Sequence, residues 1–304
     1  MKNILICGGF GSVGSALVSG FLRDKYTVTI VDPGYFGQDP IGLNDKVEII
    51  DKEFEHNCCS LNNYDLAIIA CYDYDYLELL SKDKFDYLTD NLKKGINEKC
   101  VLLSDWRALV KLDSNAAKLE KTVLEKGGQI ITLGCVYGWS FRVRFDTIIN
   151  QAFLHIVKRH EFECQDDGRR WLPITGIHKL YSSLTNWLNG NKLNQQLLCD
   201  SIWRVSELAI AIRNQIVGLL GNDYQNIRLG FGSKKDEFAG FKFENLDLID
   251  VNLDSFDFES NAMIKGLTTT DSSLLIEPNC FPSTFYTSLK VFEEFTKQHG
   301  KLFT

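Results

Sequence analysis

The stretch KNILICGGFGSVG, residues 2–14, is an apolar run that halts at two glycines and gives way to SALVSGFLRD, whose apolar residues recur at helical spacing. Strand, glycine-rich turn and helix is the order it predicts. The glycines have mechanical jobs: a tight turn without a Cβ, close approach of backbone amides to a pyrophosphate, and tight packing of helix on strand. Ser12 and Val13 belong to the glycine loop just before the helix, whose N-terminus favours an anion. The expected phosphate cradle is therefore Gly8, Gly11, Ser12, Val13 and Gly14.

A structural turn uses glycines as well, so the next strand decides between the two. Val28-Thr-Ile-Val-Asp32 puts a carboxylate at a strand end, 18 residues after Gly14. That is near the spacing expected for an acceptor of a ribose 2′-hydroxyl. Asp32 is followed by Pro33 and Gly34, with no arginine beside it, so a 2′-phosphate would meet repulsion. The predicted cofactor is NAD rather than NADP.

Outward from this point, short aliphatic runs alternate with helical patterns: YTVTIVD, KVEII, YDLAIIA, FDYLTDNLKKG, KCVLLS, NAAKLEKTVLEKG and QIITLGCVYG. Buried strands joined by crossover helices make a parallel sheet covered on both faces. After Gly138 the rhythm loosens into a polar bend at DDGRRWLP, a helical GIHKLYSSLTNWLNGN, a strand-like NQQLLCD and a helical VSELAIAIRNQIVGLL. From Asn226 the chain reads as short strands and loops closed by a helix, STFYTSLKVFEEFTKQHG.

Composition narrows the function. With 304 residues and 44% hydrophobic content, the chain can bury a substantial core. Its 33 basic and 40 acidic residues give a net charge of −7, and no basic block offers a track for a phosphodiester backbone. Nucleic acid is not an expected partner. The nine cysteines are odd in number and many lie in strand-like runs, where a reduced thiol packs as a small hydrophobe, so a reducing cytoplasmic setting is predicted. No CxxC or HExxH spacing supports zinc, and His155 and His160 sit five apart, off one helix face. No leader-like start and no run of 18 apolar residues is present, so neither export nor a membrane is expected.

The glycine spacing, VDPGYFG after the second strand and DLAIIACY after the fourth together resemble the extended short-chain dehydrogenase/reductases, specifically the NAD-dependent epimerase/dehydratase family that acts on nucleotide sugars. The likeness covers roughly the first 220 residues. It implies an α/β, Rossmann-type doubly wound parallel sheet with a smaller α+β C-terminal substrate lobe. Residues 1–168 would form the dinucleotide-binding domain, with later segments around 194–220 adding to it, and 169–304 mainly the substrate lobe.

The resemblance also implies residue roles. Asp51 would lie near the adenine, and Ala70 and Cys71 would line the cofactor trough. In CVYGWSFRVRFDTIINQAF, Asn150 with Arg142 or Arg144 would face the nucleotide sugar, although both arginines could equally point to solvent from a strand edge. In DDGRRWLPI, Arg170, with Arg169 in reserve, would hold the diphosphate through planar bidentate donors. A homodimer through FDYLTDNLKKG and AAKLEKTVLE is implied as well.

At the catalytic centre the family uses a Ser or Thr after strand five to polarise the sugar oxygen, with a Tyr one helical turn before a Lys. The chemistry needs a phenol whose pKa is drawn down by the ammonium. Here Ser104 follows VLL and Lys118 sits in NAAKLEKTVLEKG, but Ser114 occupies the tyrosine's place, and only nine residues separate the two serines. Lys118 could still hold the nicotinamide ribose, or be a solvated helix lysine. Substitutes for the phenol are Ser114, which nothing evident activates, Asp105 as a general base, or Tyr72, Tyr74 or Tyr76 from across the cleft; each is also readable as a loop or cap residue. Tyr137 reads as a packing residue. Two functions follow: an NAD-dependent enzyme of nucleotide sugars with a non-standard acid/base, or a non-catalytic relative that binds cofactor or sugar nucleotide.

Overall fold

In the computed structural model, β1 (Asn3–Cys7) lies inside a six-stranded sheet with β2 (Thr27–Val31), β3 (Glu48–Ile50), β4 (Leu66–Ile69), β5 (Cys100–Asp105) and β6 (Gln129–Leu133). The strand order is β3-β2-β1-β4-β5-β6 and every neighbouring pair is parallel. The structure describes residues 2–34, 47–50, 61, 63–138, 143–144, 147–190, 197–234 and 253–269. Asp51, Arg142 and the helix expected over residues 283–300 lie outside these.

This order is that of a doubly wound dinucleotide fold, with the topological switch between β1 and β4. Alternation along β1 explains the two faces. Ile4 and Ile6 are buried with α1 (Ser12–Arg23) through Leu17, Val18 and Phe21. Leu5 and Cys7 face the other way, toward Leu88 and Leu92 of α3 (Lys82–Gly95) and Leu119 and Val123 of α5 (Asn115–Glu125). The short α2 (Tyr74–Leu79) and α4 (Arg107–Val110) fill the connections at the C-terminal edge of β4 and β5. Each fully buried aliphatic side chain on these faces contributes about 1.5–3 kcal/mol.

Beyond β6 the chain builds a second core. The elements beyond β6 are β7 (Cys135–Tyr137), α6 (Ile148–Arg159), β8 (Glu161–Asp166), β9 (Trp171–Gly176), α7 (Ile177–Leu188), β10 (Ser201–Arg204), α8 (Val205–Leu220), β11 (Arg228–Lys234) and α9 (Leu253–Thr269), of which all but α7 supply this core. The order β10-β9-β7 forms one small sheet, and β11 pairs with β8 in parallel. Phe153, Phe162, Leu208, Ile212, Met263 and Leu267 are buried together in this core. α7 instead returns to the large sheet, where Leu180, Tyr181 and Leu184 join the face covered by α1. The Tyr181 hydroxyl donates to Gly20 O and Asp24 Oδ2 at the end of α1. Leu198 then bridges to Leu133 in parallel, extending the sheet beyond β6. The two cores thus interleave along the chain.

Three local outcomes refine the sequence reading. Trp171–Gly176, seen in sequence as the end of a polar bend, is β9, because its burial is nearly complete on both faces. Leu253–Thr269, expected among short strands and loops, is a 17-residue helix. Its Phe256, Met263, Ile264 and Leu267 share one stripe despite the Asp, Ser and Asn residues between them. His160 ends α6 in the left-handed region, φ 57°, and stacks on Tyr224 with ring centroids 4.5 Å apart. Among the described residues no helix is long and apolar enough to cross a membrane, and no cluster of three or more His, Cys, Asp or Glu could hold a metal ion.

Candidate active site

The glycine loop closes on itself so tightly that side chains are excluded by backbone. A Cβ on Gly14 would lie 2.0 Å from Gly8 O, and one on Gly8 (φ +82°) would lie 2.9 Å from Ala70 O and Cys71 Cα. Gly11 N–H donates to Gly8 O at 3.0 Å, and Gly11 is the N-cap of α1 without a side-chain partner for the first amides. The first turn of α1, through Ser12 and Val13, therefore faces the C-terminal edge of β1 with amides available to an anion. Ala70 and Cys71 pass directly against this loop.

Asp32 follows β2 and is nearly buried, 9% exposed. Its Oδ2 accepts the Phe10 N–H at 2.9 Å and its Oδ1 the Gly34 N–H at 2.8 Å. These bonds fix the carboxylate against the glycine loop, where a ribose hydroxyl would donate to it. The donor set, and a loop in which any Cβ at Gly14 would strike backbone, fit NAD. Gly8, Gly11, Ser12, Val13, Gly14 and Asp32 would hold its pyrophosphate and adenosine ribose.

At the same edge, Ser104 and Asp105 end β5. Ser104 lines a small recess with Tyr72, Tyr74, Leu77 and Ala116. Asp105 is gripped by Arg107, with Nε to Oδ1 at 2.9 Å and Nη2 to Oδ2 at 3.0 Å. Arg107 also donates to Asp75 at 2.8 Å and lies 4.3 Å from the Tyr74 ring centre. Burial works against the guanidinium's charge, but these carboxylates hold its pKa above the ordinary arginine value. Both Asp105 oxygens are thus committed to a cation. Tyr74 is buried beneath the same guanidinium, whereas Tyr76 is 36% exposed.

α5 carries the segment expected to bear the base. Ser114 is its N-cap: the residue is 2% exposed and its Oγ accepts the Ala117 N–H at 3.1 Å. The next two amides, of Asn115 and Ala116, donate to Glu78 Oε1 at 2.7 and 3.3 Å. Lys118 lies on the exposed side of the helix. The residue α5 turns toward Ser104 is Glu120, whose carboxyl is within hydrogen-bonding reach of the Ser104 and Thr132 hydroxyls. Positions two apart do not share a helix face, so the structure does not bring Lys118 to Ser104.

The substrate-side residues are tied into the same edge. Arg144 Nη1 donates to Asp73 Oδ2 at 2.7 Å, joining the loop after β7 to the start of α2. Burial alone would raise the Asp73 carboxyl, but Arg144 beside it holds it below the usual value. Asn150 is buried and its Nδ2 braces Arg144 O at 2.9 Å and Val136 O at 3.4 Å. Arg170 pairs with the buried Asp166 at 2.7 Å, while Arg169 is exposed beside Asp167. Cys135, which opens β7, feels Asp105, Arg170 and Arg107; burial pushes its thiol up to about 11. Tyr137 is fully buried and donates to Asp200 Oδ2 at 3.1 Å, as a packing residue would.

Sequence reading missed Glu120, Arg107 and Cys135. A signal for Glu120 existed: Ala116, Leu119, Glu120 and Val123 fall on one helical stripe, so a carboxylate was written onto an inward face. For Arg107 the local signal was only Asp105 two residues before it, and its second partner, Asp75, is 32 residues away.

No family model matches the sequence, and no curated protein matches it. Solved structures do share its architecture. An NAD-dependent NDP-hexosamine 5,6-dehydratase, TunA, involved in tunicamycin biosynthesis, aligns with a TM-score of 0.63 at 14% identity, over 89% of this chain and 99% of its own. UDP-N-acetylglucosamine 4-epimerase from Bacillus cereus aligns at 0.59 and 14% identity, over 90% of this chain and 98% of its own. MoeE5, solved in complex with UDP-glucose and NAD, aligns at 0.59 and 15% identity, over 88% and 98%. The chain has the fold of NAD-dependent nucleotide-sugar epimerases and dehydratases.

Proposed function

We propose that this protein binds NAD and acts on a nucleotide-linked sugar by reduction, epimerisation or dehydration, with an acid/base other than the family's tyrosine. The observation that carries the reading is the glycine cradle, in which a Cβ at Gly14 would strike Gly8 O at 2.0 Å while Asp32 is fixed beside the loop by two backbone donors. Bound NAD supplies a hydride acceptor and donor. The chain's own residues do the rest: Ser104 offers a hydroxyl to the sugar oxygen from its recess, Ala70 and Cys71 wall the trough, and Arg170 and Arg144 lie on the side where a diphosphate would enter.

The fold similarity to proteins that handle UDP-glucose and an NDP-hexosamine supports a nucleotide sugar as the substrate class. Calorimetry with NAD and a panel of NDP-sugars, with products followed by NMR, tests this. NAD binding and conversion of at least one sugar is the expected result. Failure to bind NAD, or binding without any conversion, defeats it.

A non-catalytic relative is favoured by one observation: Ser114 is a helix cap and Lys118 is solvated, so the family's Tyr–Lys pair has no counterpart on α5. Arg170→Ala separates a protein that takes a sugar nucleotide from a sensor of NAD alone. It weakens NDP-sugar binding if the sugar nucleotide is a ligand, whereas a sensor of NAD alone is indifferent to it.

A further inference from the structure

Ser104 and Thr132 are cross-strand partners in the register of β5 and β6. Ser104 alternates with Leu102 and Cys100, which face α3 and α5, so its hydroxyl is directed to the α5 side of the sheet. Glu120 reaches both hydroxyls from α5. Its Oε1 is buried and has no hydrogen-bond partner among the described residues. A half-buried carboxyl, with one oxygen bare, thus stands behind the serine hydroxyl that lines the recess at the C-terminal edge.

We propose that Glu120, acting through Ser104, takes up and returns the substrate proton that the family's phenol would handle. The inference rests on the function proposed above. In the forward direction the O–H bond of a sugar hydroxyl breaks, its proton passing to Ser104 Oγ as Ser104's own proton passes to the Glu120 carboxylate, and the electron pair stays on the sugar oxygen. The reverse transfer returns the proton. The side chain is neither created nor consumed, and Glu120 holds the proton between the two halves.

Its surroundings suit the task. Burial raises the Glu120 carboxyl above its ordinary range, Asp105 raises it further, and the Ser104 and Thr132 hydroxyls draw it partly back. A carboxyl raised above its ordinary range is a stronger base than a solvated one. Among the described residues no cation quenches it: Arg107 on α4 is committed to Asp105 and Asp75, Glu78 on α2 serves the α5 amides, and Lys118 and Lys121 lie on the exposed side of the helix. α3 packs against α5 through apolar residues such as Leu88 and Leu92. Asp105 and Glu120 are therefore two neighbouring carboxyls with separate duties, one paired to a guanidinium and one kept for protons.

The test uses the full chain in three forms: wild type, Glu120→Gln and Glu120→Asp. Circular dichroism and NAD affinity establish that each is folded and loaded. Carboxyl-labelled glutamate is titrated by NMR in the cofactor-free protein, with the Glu120 resonance identified by its loss in Glu120→Gln and with Ser104→Ala as control. A resonance titrating above the ordinary glutamate range, and moving higher in Ser104→Ala, is expected. For kinetics, Glu120→Gln lowers kcat by roughly 10²–10⁴-fold and removes the acidic limb of the pH profile, with NAD affinity unchanged. Glu120→Asp restores part of the rate and a displaced limb. A Glu120 resonance in the ordinary range overturns the proposal, as does Glu120→Gln with wild-type kcat and pH profile. If wild type converts no nucleotide sugar, the underlying function falls and this inference falls with it; conversion by wild type with an undiminished kcat in Glu120→Gln overturns the inference alone.

Discussion

Arg107 holds both oxygens of Asp105, and the same guanidinium reaches Asp75 at the start of α2 and covers the ring of Tyr74. One side chain thereby fastens β5, α2 and α4 around Ser104. The Arg107 and Asp105 side chains are 21% and 29% exposed, so their bonds are shielded from solvent. Arg107→Ala leaves Asp105 half-buried without its cation, and a cost of about 1.5–3 kcal/mol is expected in urea or thermal unfolding. Asp105→Asn is milder, because the amide oxygen still accepts. It also removes the charge that raises Glu120, so the Glu120 carboxyl moves down in that variant. An unmoved Glu120 titration in Asp105→Asn contradicts the coupling.

The glycine loop makes a prediction with its own control. Gly14→Ala places a Cβ against Gly8 backbone, where no flexible side chain can yield, and overpacking of this kind costs about 1–3 kcal/mol. It also distorts the cradle, so NAD no longer raises the melting temperature. For wild type, saturation at a hundredfold over Kd is worth about 2.7 kcal/mol. Gly127→Ala is the control: φ is +83° with nothing within 4 Å, so it carries backbone strain of about 1–2 kcal/mol and leaves the NAD response intact. Equal NAD responses in the two variants would count against the loop as the cofactor cradle.

Ser114 is expected to behave as a cap. Ser114→Ala removes the acceptor for Ala117 N–H and costs about 1 kcal/mol of stability, while Ser114→Asn retains it. Catalysis at saturating substrate is the same in both, in contrast to Ser104→Ala. A kcat that collapses in Ser114→Ala but not in stability would return the serine to the chemistry.

The parts of the site that sequence revealed are those that are local. Gly8 to Gly14 and Asp32 are legible because turn, strand end and spacing all lie within one β-α-β unit, and the parallel order follows from the alternation of short aliphatic runs with helices. What depends on helix rotation or long-range pairing was hidden. Matching the family motif along α5 put weight on Lys118, whereas the stripe of Ala116, Leu119, Glu120 and Val123 decides what faces β5. Arg144 meets Asp73 across 71 residues, a pairing no spacing rule anticipates. α9 was obscured because a stretch rich in Asp, Ser and Asn reads as loop until the stripe of Phe256, Met263, Ile264 and Leu267 is placed on a helix.

That helix brings the last prediction, concerning pH. Glu259 is 4% exposed, accepts the His178 N–H at 2.5 Å and lies against Gly138 and Gly176. Burial raises its carboxyl from 4.5 to about 7; the His178 amide lowers it, and the neighbouring Asp200 raises it again. The folded protein therefore binds this proton more tightly than the unfolded chain. Its stabilising effect is complete below pH 4.5 and is lost as pH rises toward about 7, because an ionised Glu259 must then sit in the second core beside Asp200. Carrying a carboxyl over that interval corresponds to about 3 kcal/mol. Glu259→Gln keeps an acceptor for His178 and cannot ionise, so its stability curve is flatter through this window, and its advantage over wild type grows from pH 4.5 to 7. Urea unfolding at several pH values measures the difference. Parallel curves for wild type and Glu259→Gln would show that Glu259 ionises in the fold as easily as in water, and that the contact between α9 and the β7–β9 sheet is not proton-linked.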